Sequence, residues 1–182
     1  MNWEKLTVKA REALDAAREN CVSAEHQQLT GSHLLSALIE QEGGLVGQLL
    51  ESLDADRAAL LRALEKRLAN EPTVKGSGAS DIYFAPNAKK AFDAAFKEAK
   101  ALGDSYVSTE ALLLGLSRHG RCSSILEEHG VNEKKVRAAI EAIRAGSVVD
   151  DDDPDSKIGA LEKYTRDLTA DARAGRLDPV IG

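Results

Sequence analysis

Two carboxylates, Asp104 and Glu110, are the side chains whose positions most suggest a binding role in this sequence. They flank residues 105–109, a short segment between two predicted helices, and ionised carboxylates accept hydrogen bonds from N–H and O–H donors. Each also has a structural explanation. The helix dipole stabilises a negative charge in a first helical turn by about 0.3–1 kcal/mol, which accounts for Glu110. Asp104 follows Gly103 and fits a turn. The residues alone favour the structural explanation, with binding as the alternative.

The rest of the sequence contains no recognisable catalytic motif. Gly115-x4-Gly120 has the glycine spacing of a phosphate-binding loop, but the Lys and Ser/Thr that should follow are absent, and the pattern ends a helix. The histidines show no metal-ligand spacing, and His33 lies beside leucines, where a hydrogen-bonded structural histidine is expected. No GxSxG motif occurs. We therefore expect no catalytic residue, no metal site, no cofactor and no enzyme activity within these 182 residues.

Composition argues against several classes of partner. The net charge is −6 and no cluster of Lys and Arg stands out, which disfavours nucleic acid. No apolar run approaches the ~20 residues that cross a bilayer, and residues 1–5 lack the apolar core of a signal peptide. Cys21 and Cys122 fit no CxxC spacing, so we expect packed thiols in a reducing compartment. These features predict a cytoplasmic chain without a membrane partner.

The helices that must position the two carboxylates occur in two copies. A shift of 78 residues brings residues 84–116 onto residues 6–38, and a gap of two residues extends the match. The matched positions are mostly the apolar ones that build a helical core, so a duplicated helical unit explains them better than chance. The matched pairs include Ala10 with Ala88, Ala13 with Ala91, Ala17 with Ala95, Leu34 with Leu112, Leu35 with Leu113, Leu38 with Leu116, Leu60 with Val136 and Leu64 with Ile140.

Each unit is predicted to contain four short helices. The hydroxyl of Thr7 can accept a hydrogen bond from an unpaired amide in the first turn of the first helix. Pro86 suits the first turn of the equivalent helix in the second unit, because its missing N–H is not needed there. Other predicted helix starts follow Thr30, Gly44, Asp56, Ser108 and Asn132. The apolar residues that the fourth helix is expected to bury are Leu60, Leu61, Leu64 and Leu68.

These elements predict an all-α fold in which about eight helices form two halves with a pseudo-twofold relation. We expect one domain over residues 1–146, with repeat one at about 6–69, a connector at 70–83 and repeat two at about 84–145. Pro and Gly in the connector disfavour regular structure. The seam between the halves is a natural place for a ligand.

Residues 147–157 are predicted to form a flexible, solvated acidic linker. Five aspartates surround Pro154, and their mutual repulsion opposes helix formation. The order of these residues does not match a calcium loop, which needs interspersed ligands and a glycine. A helical pattern returns at Leu161, Tyr164, Leu168 and Ala172 and ends at Gly175. Residues 158–182 are therefore predicted to be the truncated start of a further module that contains a partial helix.

Several motifs together resemble the N-terminal region of ClpB-type AAA+ disaggregase chaperones, and the resemblance covers essentially the whole chain. The most specific stretches lie in the tail, which resembles the start of the first ATPase module of such chaperones. A Clp-type double repeat alone is shared with unfoldases that feed a protease, whereas the connector and the tail favour ClpB. The motifs are Glu4–Lys9, Gln41–Val46, Pro72-x-Val74-x-Gly76, Gly103–Glu110, Leu161–Thr169 and Gly175–Gly182.

The resemblance implies a role in substrate recruitment. Such chaperones are ATP-driven homohexameric rings that thread aggregated polypeptides through a pore, together with a DnaK-type system. Their N-terminal domains sit on mobile linkers and engage unfolded segments, and the family's substrate-binding residues correspond here to Thr7, Asp104 and Glu110. Tyr106 is a further candidate for an adjacent apolar strip. ATP and Mg would be cofactors of the full-length protein only, and the fragment itself is expected to be a monomer.

The resemblance also assigns Val180 and Ile181 to a remnant of the adenine pocket of the ATPase. The phosphate-binding loop is missing from this sequence, so no ATP hydrolysis is expected. Two positions depart from the family pattern. Ser32 stands where relatives often have an acidic residue, and Ala85 stands where a capping Ser is common. Neither of them is one of the three site residues.

Four functions are compatible with the sequence. The leading one is a domain that binds unfolded or aggregated polypeptides weakly and passes them to the ring pore. The alternative within the family is an adaptor-docking N-terminal domain of a protease-coupled Clp unfoldase, which would bind one defined partner tightly. The other two are a free-standing enzyme with a cryptic site and a structural spacer. The spacer predicts no binding and no effect of changing Asp104 or Glu110.

Overall fold

The computed structural model describes residues 3–74, 82–144 and 146–154. Within these ranges it contains eight α-helices and two very short strands, so the predicted all-α fold is confirmed. Val180, Ile181 and the predicted partial helix lie outside the described residues. The first repeat contains α1 (Val8–Ser23), β1 (Gln28–Leu29), α2 (Gly31–Glu40), α3 (Leu45–Ser52) and α4 (Arg57–Leu68). The second repeat contains β2 (Tyr83–Phe84), α5 (Pro86–Ala101), α6 (Thr109–Arg118), α7 (Gly120–Glu128) and α8 (Glu133–Arg144).

Helix starts coincide with the capping residues identified in the sequence. Thr7 Oγ1 accepts a hydrogen bond from a first-turn amide of α1 at 3.2 Å. The side chains of Asp56 and Ser108 cap α4 and α6 in the same way. Pro86 occupies the first turn of α5, while Ala85 before it makes no side-chain capping bond. Local sequence therefore determines where these helices begin.

The two repeats are interlocked by the segments that precede their first helices, which we call the leading segments. In the leading segment of repeat one, Leu6 lies opposite Val107 of the α5–α6 connection in a parallel bridge. In the leading segment of repeat two, β2 pairs in the same parallel sense with β1, and Leu29 lies opposite Phe84. A shift of 78 residues converts one pairing into the other. This is the predicted pseudo-twofold relation.

Each leading segment crosses over to the other repeat, and the main-chain hydrogen bonds at the two crossing points are equivalent. The amide of Thr7 donates to the carbonyl of Val107 at 3.0 Å, and the amide of Ala85 donates to the carbonyl of Leu29 at 3.0 Å. Buried side chains from both repeats form one continuous apolar core around this crossing. Each half is therefore held by main-chain bonds to the other as well as by side-chain packing.

The fourth helix differs in detail from the sequence-based expectation. Leu60 and Leu64 of α4 are buried as predicted. Leu61 and Leu68 are only half-buried. The helix turns a single stripe of side chains to the core, and this stripe contains Leu60 and Leu64, which are four residues or about one turn apart. The prediction of four buried leucines is therefore wrong for two of them.

α5 and α6 approach each other so closely that no side chain fits at Gly115. A Cβ atom there would collide with the carbonyl oxygen of Ala91 and lie 3.1 Å from the amide nitrogen of Ala95. Helix backbone cannot swing aside as the tip of a flexible side chain can. The glycine that shares the spacing of a phosphate-binding loop is therefore required for helix packing.

Replacing Gly115 by Ala should lower the free energy of unfolding by about 1–3 kcal/mol, because the added methyl group pushes α6 away from α5. Gly47→Ala is the matched control, since the three atoms nearest to its methyl group would belong to the side chain of Arg57, the far end of a flexible side chain and not helix backbone. Ala also favours a helix over Gly by up to ~1 kcal/mol. Urea unfolding followed by circular dichroism measures both variants. A Gly115→Ala protein as stable as the wild type would contradict the packing argument.

His33 is a buried structural histidine, as predicted. Its Nδ1 lies 3.1 Å from the amide nitrogen and 2.9 Å from Oγ1 of Thr30, the residue before α2. Its Nε2 lies 2.9 Å from Nδ1 of His26. Burial, with a smaller contribution from the nearby His26, lowers the pKa of His33 from 6.5 to about 4. The ring is therefore neutral in the folded domain at neutral pH.

The domain should lose stability as the pH falls from about 6.5 to about 4. In this window the unfolded chain protonates His33 while the folded chain keeps it neutral, so acid favours unfolding. One pH unit between the two pKa values corresponds to about 1.4 kcal/mol, which gives a loss of about 3 kcal/mol over the window. His33→Gln can keep the capping hydrogen bond but cannot titrate. Thermal midpoints should therefore fall less steeply with pH for this variant, and parallel curves would disprove the effect.

Candidate functional site

The crossing of the leading segments puts Thr7 beside the connection that carries the two carboxylates. The amide of Thr7 donates to the carbonyl of Val107 at 3.0 Å, and the Thr7 side chain caps α1. Asp104 lies in the turn after α5, and Glu110 lies in the first turn of α6. The structure therefore brings the three candidate residues to one seam between the repeats, and Tyr106 lies between the two carboxylates in the sequence.

The carboxylates share one cation, Arg144, at the end of α8. Its Nη1 donates to Oδ2 of Asp104 at 2.7 Å, and its Nη2 donates to Oε1 of Glu110 at 2.9 Å. Nη2 also donates to Oγ of Ser108 at 3.1 Å, and Nε lies 3.2 Å from Oε1 of Glu110. All three charged side chains are more than nine-tenths buried. The cluster joins the end of α8 to the α5–α6 connection.

Sequence reasoning missed Arg144, although the helical spacing contained a signal. Val136, Ile140 and Arg144 follow one another at intervals of four residues and are the buried residues of α8. An arginine on a buried stripe needs an anionic partner, because an unpaired buried charge is too costly. That argument predicts a buried carboxylate nearby, but it does not say which one.

The cluster holds two carboxylates and one guanidinium. Burial alone would lower the pKa of Arg144, but the attraction of Glu110 and Asp104 outweighs it and raises the pKa, so the arginine stays charged. The excess negative charge is partly balanced by the start of α6, where Glu110 lies. The amide of Val149 also donates to Oδ1 of Asp104 at 2.8 Å. The seam therefore favours N–H donors.

The first part of the acidic segment lies against the seam. The carbonyl oxygen of Val149 accepts from the amides of Ser105 at 2.8 Å and Tyr106 at 3.4 Å. Three residues later, the carbonyl oxygen of Asp152 accepts from the amide of Val8, the first residue of α1, at 2.7 Å. The Val149 side chain is 5% exposed. The segment thus contacts both repeats at the seam.

The expectation of a solvated linker does not hold at Val149. Asp150 and Asp152 are exposed, in keeping with their mutual repulsion. The main chain of the segment nevertheless finds partners at the seam. Composition could not reveal this, because the partners are backbone groups and one shared carboxylate whose position depends on the tertiary fold. Residues 155–157 lie outside the described residues.

The three candidate residues differ in what they can contact. Asp104 can accept a main-chain N–H, since Oδ1 already does so while Oδ2 holds Arg144. Glu110 is turned inwards, and its Oε2 lies 3.4 Å from Oγ1 of Thr109. Thr7 is fully buried and uses its hydroxyl to cap α1. Of the three, Asp104 is therefore the one whose carboxylate already accepts a main-chain N–H, while Glu110 and Thr7 hold the surrounding elements in place.

Tyr106 lines an open cavity of about 500 Å³ beside the seam. Phe96 adds apolar surface to the cavity, and three lysines, Lys5, Lys97 and Lys100, are also among its lining residues. The Nζ atom of Lys5 lies 5.9 Å from the centroid of the Tyr106 ring, within reach of a cation–π contact. The cavity is large enough to receive one side chain of an extended segment whose backbone N–H is bound by Asp104, as that of Val149 is here.

Other chemistry is sparse in the described part of the chain. No three His, Cys, Asp or Glu side chains there are grouped so that they could hold a metal ion. Cys21 and Cys122 are free and buried, as predicted, and burial raises the pKa of Cys122 to about 11, which keeps the thiol protonated. No helix among these residues is long and apolar enough to cross a membrane.

The equivalent seam of the other half lacks the carboxylates. A shift of 78 residues places His26 at the position of Asp104 and Ser32 at the position of Glu110. His26 is paired there with the buried His33. The pseudo-twofold relation therefore produces two seams with related geometry, of which one carries the buried ion cluster.

Removal of the guanidinium should strongly destabilise the domain. Arg144→Met leaves two buried carboxylates without their counter-ion, for which a loss of about 3–5 kcal/mol in the free energy of unfolding is expected. Arg62 is an exposed arginine on α4, and Arg62→Met should cost less than ~1 kcal/mol. Urea denaturation of the two variants gives the comparison. Similar losses in both would show that the cluster does not anchor α8.

Residues 5–129 of the chain match the Clp repeat (R) N-terminal domain family. The chain is 41% identical to the chaperone protein ClpB of Rhodopseudomonas palustris, in an alignment that covers 100% of this chain and 21% of that protein. The chain therefore spans about a fifth of the length of the curated relatives it matches.

Solved domains share the fold at lower sequence identity. The Hsp104 N-terminal domain from Candida albicans has a TM-score of 0.74 and 20% identity, over 83% of this chain and 99% of that chain. A ClpV N-domain in complex with a VipB peptide has a TM-score of 0.61 and 18% identity, over 79% of this chain and 89% of that chain. These likenesses show the fold alone. Because the family match extends over more than half of the sequence, the chain belongs to the Clp repeat N-terminal domain family, as its resemblance to ClpB-type chaperones implied.

Proposed function

We propose that this domain binds extended segments of unfolded or aggregated polypeptides and passes them to the pore of a ClpB-type disaggregase ring. The observation that carries the proposal is the edge formed by Asp104, Ser105 and Tyr106. This edge presents one carboxylate oxygen and two amides, and these atoms already hold both main-chain groups of Val149. Binding through such atoms depends mainly on the backbone of the ligand.

Recognition of main-chain groups suits an unfolded ligand. A folded protein has nearly all of its buried N–H and C=O groups paired, whereas an extended segment offers both, as in the addition of a strand to a sheet edge. Each hydrogen bond contributes only about 0.5–1.5 kcal/mol net, so a few such bonds give weak affinity. Weak affinity suits a domain that must hand its ligand on.

Similarity to known proteins supports the proposal. The relative from Rhodopseudomonas palustris is a ClpB chaperone, and a ClpV N-domain of the same fold has been solved with a VipB peptide. In the proposed assembly, the full-length protein is a cytoplasmic AAA+ ATPase that forms a homohexamer, uses ATP and Mg, and works with a DnaK-type system. The domain itself is a monomer without enzyme activity, and it binds neither nucleic acid nor membranes.

The ClpV complex also favours one competing function. A domain of this fold that binds a defined peptide is compatible with adaptor docking, as in a protease-coupled Clp unfoldase. The two functions differ in selectivity. A recruiting domain binds many unfolded chains weakly and ignores their folded forms, whereas an adaptor-docking domain binds one partner tightly.

Titration of the isotope-labelled chain with a permanently unfolded protein, followed by NMR, tests the proposal. Amide shifts should cluster at Val8 and at residues 104–107. Oδ1 of Asp104 also binds the amide of Val149, so Asp104→Ala is compared in a Val149→Asp background, where that contact is absent from both proteins. In this background Asp104→Ala should weaken binding by about 5- to 10-fold, because one hydrogen bond to the ligand backbone is lost. Asp93→Ala, which removes an exposed carboxylate of α5, is the matched control and should bind as the wild type does.

The contrary outcomes are distinct from one another. Identical shifts in the Asp104→Ala and control proteins would refute the assignment of the site. Tight binding to one folded partner, with no response to unfolded chains, would favour adaptor docking. No binding to either class of ligand would favour the structural spacer.

A further inference from the structure

Residues 148–152 of this chain occupy the proposed binding surface, and we infer that they are a tethered competitor that a polypeptide ligand must displace. We call the surface formed by Val8, Asp104, Ser105 and Tyr106 the seam groove. The inference rests on the proposed function, because it concerns the same surface. It adds a built-in occupant and, from the contacts of that occupant, the kind of ligand that the groove prefers.

The seam groove binds both main-chain polar groups of Val149. Its N–H donates to Oδ1 of Asp104 at 2.8 Å, and its carbonyl oxygen accepts from the amide of Ser105 at 2.8 Å. An extended strand that joins a sheet edge also uses both main-chain groups of one residue, and here the Asp104 carboxylate takes the place of the main-chain carbonyl acceptor. The segment therefore uses the same donors and acceptor that the proposed function assigns to a substrate.

Side-chain exposure alternates along the segment as it does in a strand. Val148 is 52% exposed, Val149 is 5% exposed and Asp150 is again exposed. One β-branched side chain is buried against the seam while its two neighbours face solvent. The groove thus prefers an extended ligand with Val or Ile at the buried position.

A second contact lies three residues further along. The carbonyl oxygen of Asp152 accepts from the amide of Val8 at 2.7 Å, one of the amides at a helix start that have no intrahelical partner. Nη2 of Arg11 lies 3.5 Å from Oδ2 of Asp152. The positive end of α1 and this arginine favour an acidic residue here. The preferred ligand is therefore an extended segment with a β-branched apolar residue and an acidic residue three positions later.

The fold directs the segment towards the groove. Gly146 follows α8 with a φ of +88°, a left-handed conformation that glycine adopts readily after a helix. The amide of Ser147 donates to the carbonyl of Arg144 at 2.8 Å and closes this turn. Arg144 is itself bound to Asp104, so the tether from this anchor to Val149 is very short. Short tethers give effective concentrations in the millimolar range.

Competition of this kind weakens binding without altering the groove. The apparent affinity for a ligand is reduced by the fraction of molecules in which the groove is open. A segment that is docked in about nine molecules of ten reduces the affinity about tenfold. Loss of docking should raise it by the same factor.

Val149→Asp in the full 182-residue chain tests the inference, because a carboxylate in place of the buried Val149 side chain opposes docking. Val148→Asp is the matched control, since it introduces the same charge at the exposed neighbouring position. The probe is a fluorescently labelled, reduced and alkylated protein that cannot fold. In fluorescence anisotropy, Val149→Asp should bind the probe about tenfold more tightly than the wild type. Val148→Asp should match the wild type.

Hydrogen exchange reports docking independently of any ligand. The amides of Ser105 and Val8 should exchange faster in Val149→Asp than in the wild type or in Val148→Asp, because their acceptors have left. A synthetic peptide with the sequence of residues 146–153 should slow this exchange again and compete with the probe. The same peptide with Asp in place of Val149 should do neither.

Each result decides the matter. Unchanged exchange of both amides in Val149→Asp would refute the docking. Faster exchange with unchanged or weaker probe binding would refute the competition and leave the proposed function standing. No probe binding by any of the three proteins would refute the proposed function and the competition with it. Faster exchange together with tighter binding, in Val149→Asp alone, is the result expected.

Discussion

The seam depends on a single guanidinium shared by two carboxylates. Arg144 makes four hydrogen bonds to Asp104, Glu110 and Ser108, and these tie the end of α8 to the turn after α5 and to the start of α6. A buried ion pair is weak support for stability by itself, so the more important result is geometric. The arginine occupies one oxygen of Asp104 and leaves the other pointing at a main-chain N–H. Glu110 contributes to this geometry indirectly, because it accepts two hydrogen bonds from Arg144 and so helps to hold the arginine in place.

The duplication supplies the second constraint. Pairing of each leading segment with the other repeat sets Thr7 against the α5–α6 connection, and the same pairing recurs around β1 and β2. The two seams have then diverged in chemistry. One holds Asp104 and the ion cluster, and the other holds the His26–His33 pair, which is buried and serves the packing of α2. Symmetry in the backbone thus coexists with a buried ion cluster at one seam and a histidine pair at the other.

Much of the fold could be predicted from the sequence, because the signals are local. Thr7, Asp56 and Ser108 cap helices through contacts within a single turn, and the duplicated apolar spacing reveals the two repeats. The site could be predicted only in part. The residues themselves singled out Asp104 and Glu110 but favoured a structural explanation, and Thr7 came only from the family resemblance. The contact that brings Thr7 to the carboxylates joins Leu6 and Val107, about 100 residues apart, so no local signal could show it.

Two features of the site could not be predicted from composition or motif. Arg144 was missed because its partners lie far away along the chain, although its place on the buried stripe of α8 indicated that a partner must exist. The docking of Val149 was missed because aspartate-rich sequence indicates solvation. Its partners are backbone atoms, which every residue has, and only the tertiary fold decides which of them are left open.

The crossing of the leading segments has a consequence for how the two halves can exist. A single repeat would expose one unpaired strand edge before its first helix and another after it. A second copy could satisfy both edges at once through a twofold, self-complementary contact. In topological terms the domain is therefore a covalently fused homodimer that has exchanged segments. Fusion makes the pairing intramolecular, so it no longer requires two identical halves, and one half can carry His26 where the other carries Asp104.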